Sequence, residues 1–217
     1  MTSLELGLDT FGGATSEADG QPLPHPQAIR HLAEDAVLAD QTGLDFFVVG
    51  EHHRPGFAVS SPEMVLAAIA SRTERIRLGS AVTVLSSDDP VRVFERFATL
   101  AAVSNGRAEI VVGHGSFIES FPLFGFNLDD DEVLFEERLD LLSKLLIEEP
   151  VTWNGTTRAA LTDQRVYPTT EAGLRVWVGV GGRPGRRDRR AGPRDRARRL
   201  MPMLSLLRGW PSHAGNG

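Results

Sequence analysis

The residues best equipped for chemistry stand together in Val49-Gly50-Glu51-His52-His53, directly after an apolar run. Histidine changes charge near neutral pH, so two of them beside a carboxylate make a candidate acid/base group. The plainer alternative is a pair of loop histidines whose ring nitrogens are satisfied by backbone groups. A metal site fits less well and none is expected. Neighbouring histidines on extended chain diverge, and neither a His-Glu-x-x-His spacing nor a third ligand is evident. With no cysteine there is no thiolate nucleophile, disulfide framework or Cys-based metal centre.

Three glycine-rich stretches are the other candidates. Gly79-Ser80-Ala81-Val82-Thr83-Val84-Leu85 puts small residues in the middle of a strand-like run. That lets a planar ligand approach the backbone, or else lets a strand pack tightly against a helix. Gly113-His114-Gly115-Ser116-Phe117 and Gly179-Val180-Gly181-Gly182 each close a β-like run, where backbone N–H groups could turn toward a phosphate. Singly, each is an ordinary turn signal.

The elements that must position these residues alternate. Runs at 4–8, 44–49, 76–85, 108–112 and 174–180 read as strands, the third interrupted by Gly79-Ser80-Ala81. A helix over 27–42 carries Ile29, Leu32, Ala36 and Val37 near a 3.6-residue period and stops at Gly43. Ser61-Pro62 and Asp89-Pro90 are cap-plus-proline starts for two more helices. The second of these turns Val93, Phe94, Phe97, Leu100 and Ala101 inward and ends at Asn105-Gly106. A further helix covers 132–149, and 150–173 reads as an excursion with a short hairpin and a Tyr167-Pro168 stop.

Strands alternating with helices give βα units around a parallel sheet, as a (β/α)8 barrel or an open doubly wound sheet. The first βα turn lacks Gly-x-Gly-x-x-Gly, and no phosphate-loop Gly-Lys-Ser/Thr occurs, which disfavours the second. In a barrel the candidate residues fall at the C-terminal strand ends, where active sites are built. Phe46, Val48, Ile76, Leu78, Val82, Ile110, Val112, Val176 and Val178 are then expected in the core.

The 217 residues are 41% hydrophobic and 24% charged, within the range of one globular domain. No apolar run approaches the ~20 residues that span a bilayer. Met1-Thr2-Ser3-Leu4-Glu5 has neither a basic start nor a signal segment, so no membrane role and a cytoplasmic location are the defaults. The net charge of −6 hides an asymmetry: 10 Arg and 2 Asp from Arg183 onward, against 13 basic and 27 acidic residues before it. A basic tail suggests nucleic acid, but its arginine run has no interleaved aromatic residues, so no nucleic-acid partner is expected.

Taken together and in order, Val49 to Arg54, GSAVTVLSSDDPVR over 79–92, GRAEIVVGHGSFIESFPLFG over 106–125 and WVGVGG over 177–182 resemble the luciferase-like flavin-dependent monooxygenases. The resemblance implies an incomplete (β/α)8 TIM barrel over 1–182, with five or six of eight strands. It implies reduced FMN as cofactor, or the deazaflavin F420 in one branch. It also implies a small organic substrate and oxygen, a flavin reductase as source of reduced flavin, and a homodimer. The family's active-site histidine falls on His52, with Glu51 and His53 beside it. Ala81-Val82 falls on the bulge that backs the flavin ring, often through a nonprolyl cis peptide. Gly113, His114, Gly115, Gly181 and Gly182 fall near the cofactor tail. His114 departs from the arginine that relatives commonly present to the phosphate.

After Gly182 the pattern is lost. The Arg/Gly/Pro/Ala vocabulary of 183–217 resembles a shifted reading frame of GC-rich codons, and the expectation is an aberrant, truncated end; a real basic extension is the alternative. The apolar run at 200–207 would be a remnant of a sixth strand.

Overall fold

The computed structural model describes residues 4–14 and 21–179. Its helices begin where proline and capping residues meet. α1 (His25–Gln41) and α2 (Pro62–Ala70) carry proline in the first turn. α3 (Pro90–Val103) adds a cap, with Asp89 accepting the Val91 N–H at 2.9 Å. A short α4 (Ser120–Phe124) and the longer α5 (Asp131–Leu145) follow. Leu32, Ala36, Leu66, Ile69, Phe94, Phe97, Leu141 and Leu142 form the buried side of this helical layer.

The strands are β1 (Gly7–Thr10), β2 (Phe46–Val49), β3 (Arg77–Ser80), β4 (Thr83–Val84), β5 (Ala108–Gly113), β6 (Val151–Trp153), β7 (Leu161–Gln164) and β8 (Arg175–Val178). β6 and β7 form an antiparallel hairpin, the excursion expected over 150–173. The rest make one sheet, parallel throughout, in the order β1-β2-β3-β5-β8 with β4 beside the far half of β5. β3 and β4 are two halves of one position, separated by a cis peptide between Ala81 and Val82. At the split, the Ser80 hydroxyl takes over from the broken ladder. It lies 3.3 Å from both the N–H and the C=O of Val111, and the Thr83 hydroxyl donates to it at 2.8 Å. This is the α/β architecture of a (β/α)8 barrel with five consecutive positions, and the described strands do not close.

Registers explain which core expectations fail. Phe47 and Val49 of β2 share a face with Leu78, Ile110 and Val112, and this face lies under the helices and is fully buried. Phe46 and Val48 point to the other face, the barrel interior, and are only half-buried because no described layer covers it. Ile76, Leu78, Ile110 and Val112 are buried as expected, Val82 and Val176 are half-buried, and Val178 is 37% exposed on the outermost strand. Nor is the interior uniformly apolar. At its N-terminal end Arg77 bonds Glu5 at 2.7 Å and Glu109 at 3.1 Å, and Arg175 reaches Glu109 at 2.8 Å. The first strand is 7–10 rather than 4–8, and Leu4, Leu6 and Leu8 are exposed. The helices over 25–41 and 131–145 are displaced from the expected 27–42 and 132–149 mainly at their ends. Val180, Gly181, Gly182 and the whole 183–217 stretch lie outside the described residues.

Candidate active site at the strand C-termini

β2 delivers Glu51, His52 and His53 to the end of the sheet, and the chain then folds back on itself. The His52 N–H donates to Val59 C=O at 3.0 Å, and Ala58 N–H to Gly12 C=O at 2.7 Å. This joins the loops after β1 and β2 and brings Phe11 and Phe57 to the imidazole. Their ring centroids lie 5.8 and 4.3 Å from that of His52, and Phe117, from the loop after β5, lies at 5.1 Å.

Alternation along the extended chain sends Glu51 and His53 to a side different from His52. Glu51 is buried. One of its oxygens lies 2.8 Å from His53 Nε2, and the other accepts the Val84 N–H at 3.0 Å, tying this pair to the segment just past the cis peptide. His53 also packs edge-on to Phe124 of α4. His52 is different. Its Nε2 is buried with no hydrogen-bond partner, and burial draws the ring's pKa below its usual value; Glu51 and Glu119 push it up, while His53 and Arg54 push it down.

Gly50 shows where His52 points. A Cβ there would meet His52 Nε2 at 3.1 Å, the Phe11 backbone at 3.3 Å and the Ala81 carbonyl at 3.4 Å. The imidazole therefore converges with the carbonyl of the cis peptide over one small residue. On the far side of that peptide, the Val82 side chain lies over Gly113, where a Cβ would sit 3.2 Å from both its methyls. Gly113 makes room for Val82 at the end of β5.

His114 is exposed, its Nδ1 3.0 Å from Asp131 Oδ1 and its ring stacked on Phe135 at 4.0 Å. Gly115 adopts a positive φ of 74°. The structure thus brings Glu51, His52, His53, Ala81 and Val82 together, sets Gly113 against Val82, and turns His114 toward α5. Gly181 and Gly182 lie outside the described residues.

Several site residues escape a reading of the sequence. Asp9 of β1 faces the barrel interior opposite Val48; its Oδ1 is buried without a partner, and desolvation raises its pKa from 3.8 to about 6. Arg54 lies 4.2 Å over the Phe117 ring and 3.6 Å from Glu119. Behind Glu51, Arg96 bridges Asp88 and Glu63, two carboxyls whose pKa values burial raises. The Phe-rich loop after β5 was the available signal; Asp9 had none, being one aspartate in a strand. Among the described residues no group of three or more His, Cys, Asp or Glu gathers as metal ligands, and no helix is long and apolar enough to cross a membrane. Two concavities, of about 360 and 530 Å³, lie along α1: the first against β1, where it reaches Asp9, and the second between α1 and α2.

Parallel strands flanked by helices, with polar groups gathered at the strand C-termini, are the layout of a βα barrel. The luciferase-like monooxygenase profile matches residues 10–191, and the chain belongs to that family. It is 39% identical over 121 residues to 4-hydroxyprotoasukamycin monooxygenase of Streptomyces nodosus subsp. asukaensis, covering 55% of this chain and 33% of that protein. It is 38% identical over 114 residues to limonene 1,2-monooxygenase of Rhodococcus erythropolis, covering 52% and 30%. The chain thus spans about a third of the length of these relatives.

Among solved structures, a monooxygenase from Streptomyces bottropensis superposes with a TM-score of 0.71 at 24% identity, over 81% of this chain and 53% of that one. The oxygenating constituent of 3,6-diketocamphane monooxygenase from Pseudomonas putida, in complex with FMN, gives 0.65 at 20% identity, over 74% and 44%. An F420-dependent secondary alcohol dehydrogenase gives 0.66 at 19%, over 83% and 53%. At these identities the structures speak for the fold.

Proposed function

We propose that this chain carries the catalytic mouth of a flavin-dependent monooxygenase that uses reduced FMN and dioxygen on a small organic substrate. The observation that carries the reading is the convergence of a partnerless His52 Nε2 with the Ala81 carbonyl over Gly50. A buried polar atom without a partner is uncommon in a folded protein, and a catalytic role or a bound molecule is among the explanations for one.

The residues fit a flavin better at its ring end than at its phosphate. Ala81 and Val82 would back the ring, with His52 beside it. Gly113, His114 and Gly115 would lie toward the phosphate, together with Gly181 and Gly182. There the fit is weak, because His114 already faces Asp131 and a histidine is only partly charged at neutral pH. Bound FMN supplies the redox chemistry with dioxygen. His52, held neutral by burial, supplies a group that takes or gives a proton. Glu51 acts through His53 and the Val84 backbone to hold the loop.

Titration of the full chain with FMN and F420, followed by flavin fluorescence, tests this. FMN should bind in preference to F420, with micromolar rather than nanomolar affinity, since each missing charge-assisted bond to phosphate forfeits about 1.5–3 kcal/mol. His114→Arg should tighten FMN about tenfold. Preference for F420 would replace this reading with that of a deazaflavin-dependent oxidoreductase, and binding of neither would remove the flavin.

A further inference from the structure

We infer that the loop over 114–119 is a strap that shuts His52 off in this structure and swings away to let a molecule reach Nε2, with Arg54 and Glu119 as its latch. The inference concerns access to the site and does not depend on which cofactor or substrate enters.

Phe117 is the part of the strap that closes. Its ring lies 5.1 Å from that of His52 and 5.5 Å from that of Phe57 between centroids, and Arg54 lies 4.2 Å over it. With Phe117 in place, His52 Nε2 is buried. The strap is anchored at its two ends. Gly113 is the last residue of β5, and α4 begins with the buried Ser120 and Phe121. Between them His114, Gly115, Ser116 and Ile118 are exposed, and among the described residues 115–117 form no backbone hydrogen bond. A segment with few packed contacts and a free backbone opens at low cost. Gly115, at a φ of 74°, gives its root a turn that glycine takes readily.

The latch is unfinished. Arg54 Nε and Glu119 Oε1 are 3.6 Å apart, an ion pair without a hydrogen bond. Arg54 Nε and Glu119 Oε2 are both buried with no hydrogen-bond partner among the described residues. Closing covers the Phe117 ring, which stabilises the shut form. Opening returns two stranded polar atoms to water, which stabilises the open one. The two effects oppose each other, as a gate requires.

The test uses the full chain without flavin. Diethyl pyrocarbonate acylates neutral imidazole nitrogen, and fragment mass spectra separate His52 from His53, with the exposed His31 as standard. At about pH 8, where histidine is neutral, His52 should react at least about tenfold more slowly than His31. Glu119→Gln, Arg54→Gln and about 1 M salt should each speed His52 by about two- to fivefold, the range for a partly exposed ion pair, and leave His31 unchanged. Glu119 pushes the His52 pKa up and Arg54 pushes it down, so the same acceleration from both reads access rather than basicity. The double variant should be no faster than either single one, because both open one latch. Phe117→Leu, which keeps apolar bulk without the ring, should speed His52 further. Labelling of His52 as fast as His31 in the parent would mean that nothing shuts it off. Unchanged labelling in both latch variants and in salt would make Phe117 a fixed wall, and either result overturns the strap. Because flavin is absent throughout, the flavin titration above stands or falls on its own data.

Discussion

At the residue scale, His52 and His53 sit side by side in different environments. His53 is fixed by Glu51 at 2.8 Å and by Phe124, whereas His52 keeps an unmet nitrogen facing the Ala81 carbonyl side. His52→Ala should therefore lower turnover by roughly 10²–10⁴-fold, the range for losing a general acid/base, with flavin binding nearly intact. His53→Ala should cost less. Single-turnover flavin oxidation with and without substrate separates them, and unchanged rates in His52→Ala would make that histidine structural. Asp9 yields a second expectation, on stability. Its carboxyl holds a proton more tightly folded than unfolded, so its charge is destabilising once ionised. The penalty is absent below pH 3.8 and grows as pH rises, becoming complete above about 6. Asp9→Asn escapes this, and should gain on the parent by about 1 kcal/mol between pH 4 and 7, discounted for partial solvent access. Urea midpoints at both pH values check it; a constant difference would mean that Asp9 titrates normally.

At the scale of elements, what was legible depended on how local its cause is. Helix starts were readable because proline and caps act within one turn: Ser61-Pro62 and Asp89-Pro90 open α2 and α3. The histidine cluster was readable from residue type alone. The facing of β2 was not, because Leu44 to Val49 contains an unbroken Phe46-Phe47-Val48-Val49 run with no alternation to show which side meets the helices. The contacts of Phe117 with His52 and of Asp131 with His114 were out of reach because they span more than 60 residues and 17 residues respectively, through tertiary packing. Asp40 is another such case. At the end of α1 its carboxylate accepts the N–H groups of Glu74, Arg75 and Ile76 at 3.1, 3.1 and 2.8 Å, fixing the approach to β3. Burial raises its pKa, but these bonds and Arg75 outweigh that and leave it lowered. Asp40→Ala strands three donors and should cost about 2–4 kcal/mol in the denaturant midpoint, with spectroscopic signatures of His52 unchanged. A cost under about 0.5 kcal/mol would mean that solvent replaces the carboxylate.

Across the whole molecule, stability should follow the sheet's position rather than its sequence. β2, β3 and β5 have neighbours on both sides, while β1 bonds only β2 and β8 bonds only β5 among the described strands. The interior face is open as well: Phe46 and Val48 are half-buried, and the belt joining Glu5, Arg77, Glu109 and Arg175 is partly wetted. An edge strand keeps a row of unpaired N–H and C=O groups and frays at lower free energy than a central one. Native-state hydrogen exchange should therefore rank the amides of Leu78, Ile110 and Val112 slowest. Those of Leu8 and Trp177 should exchange about a hundredfold faster, equivalent to roughly 2.7 kcal/mol of local opening. The hairpin of β6 and β7, packed on α5 through the buried Trp153 and its indole bond to Asp140 at 2.9 Å, should fall between them. Equal protection across all five positions would show that both outer edges are covered, by other segments of the chain or by a second copy. Repeating the exchange over a tenfold dilution series separates those two, since only association between chains depends on concentration.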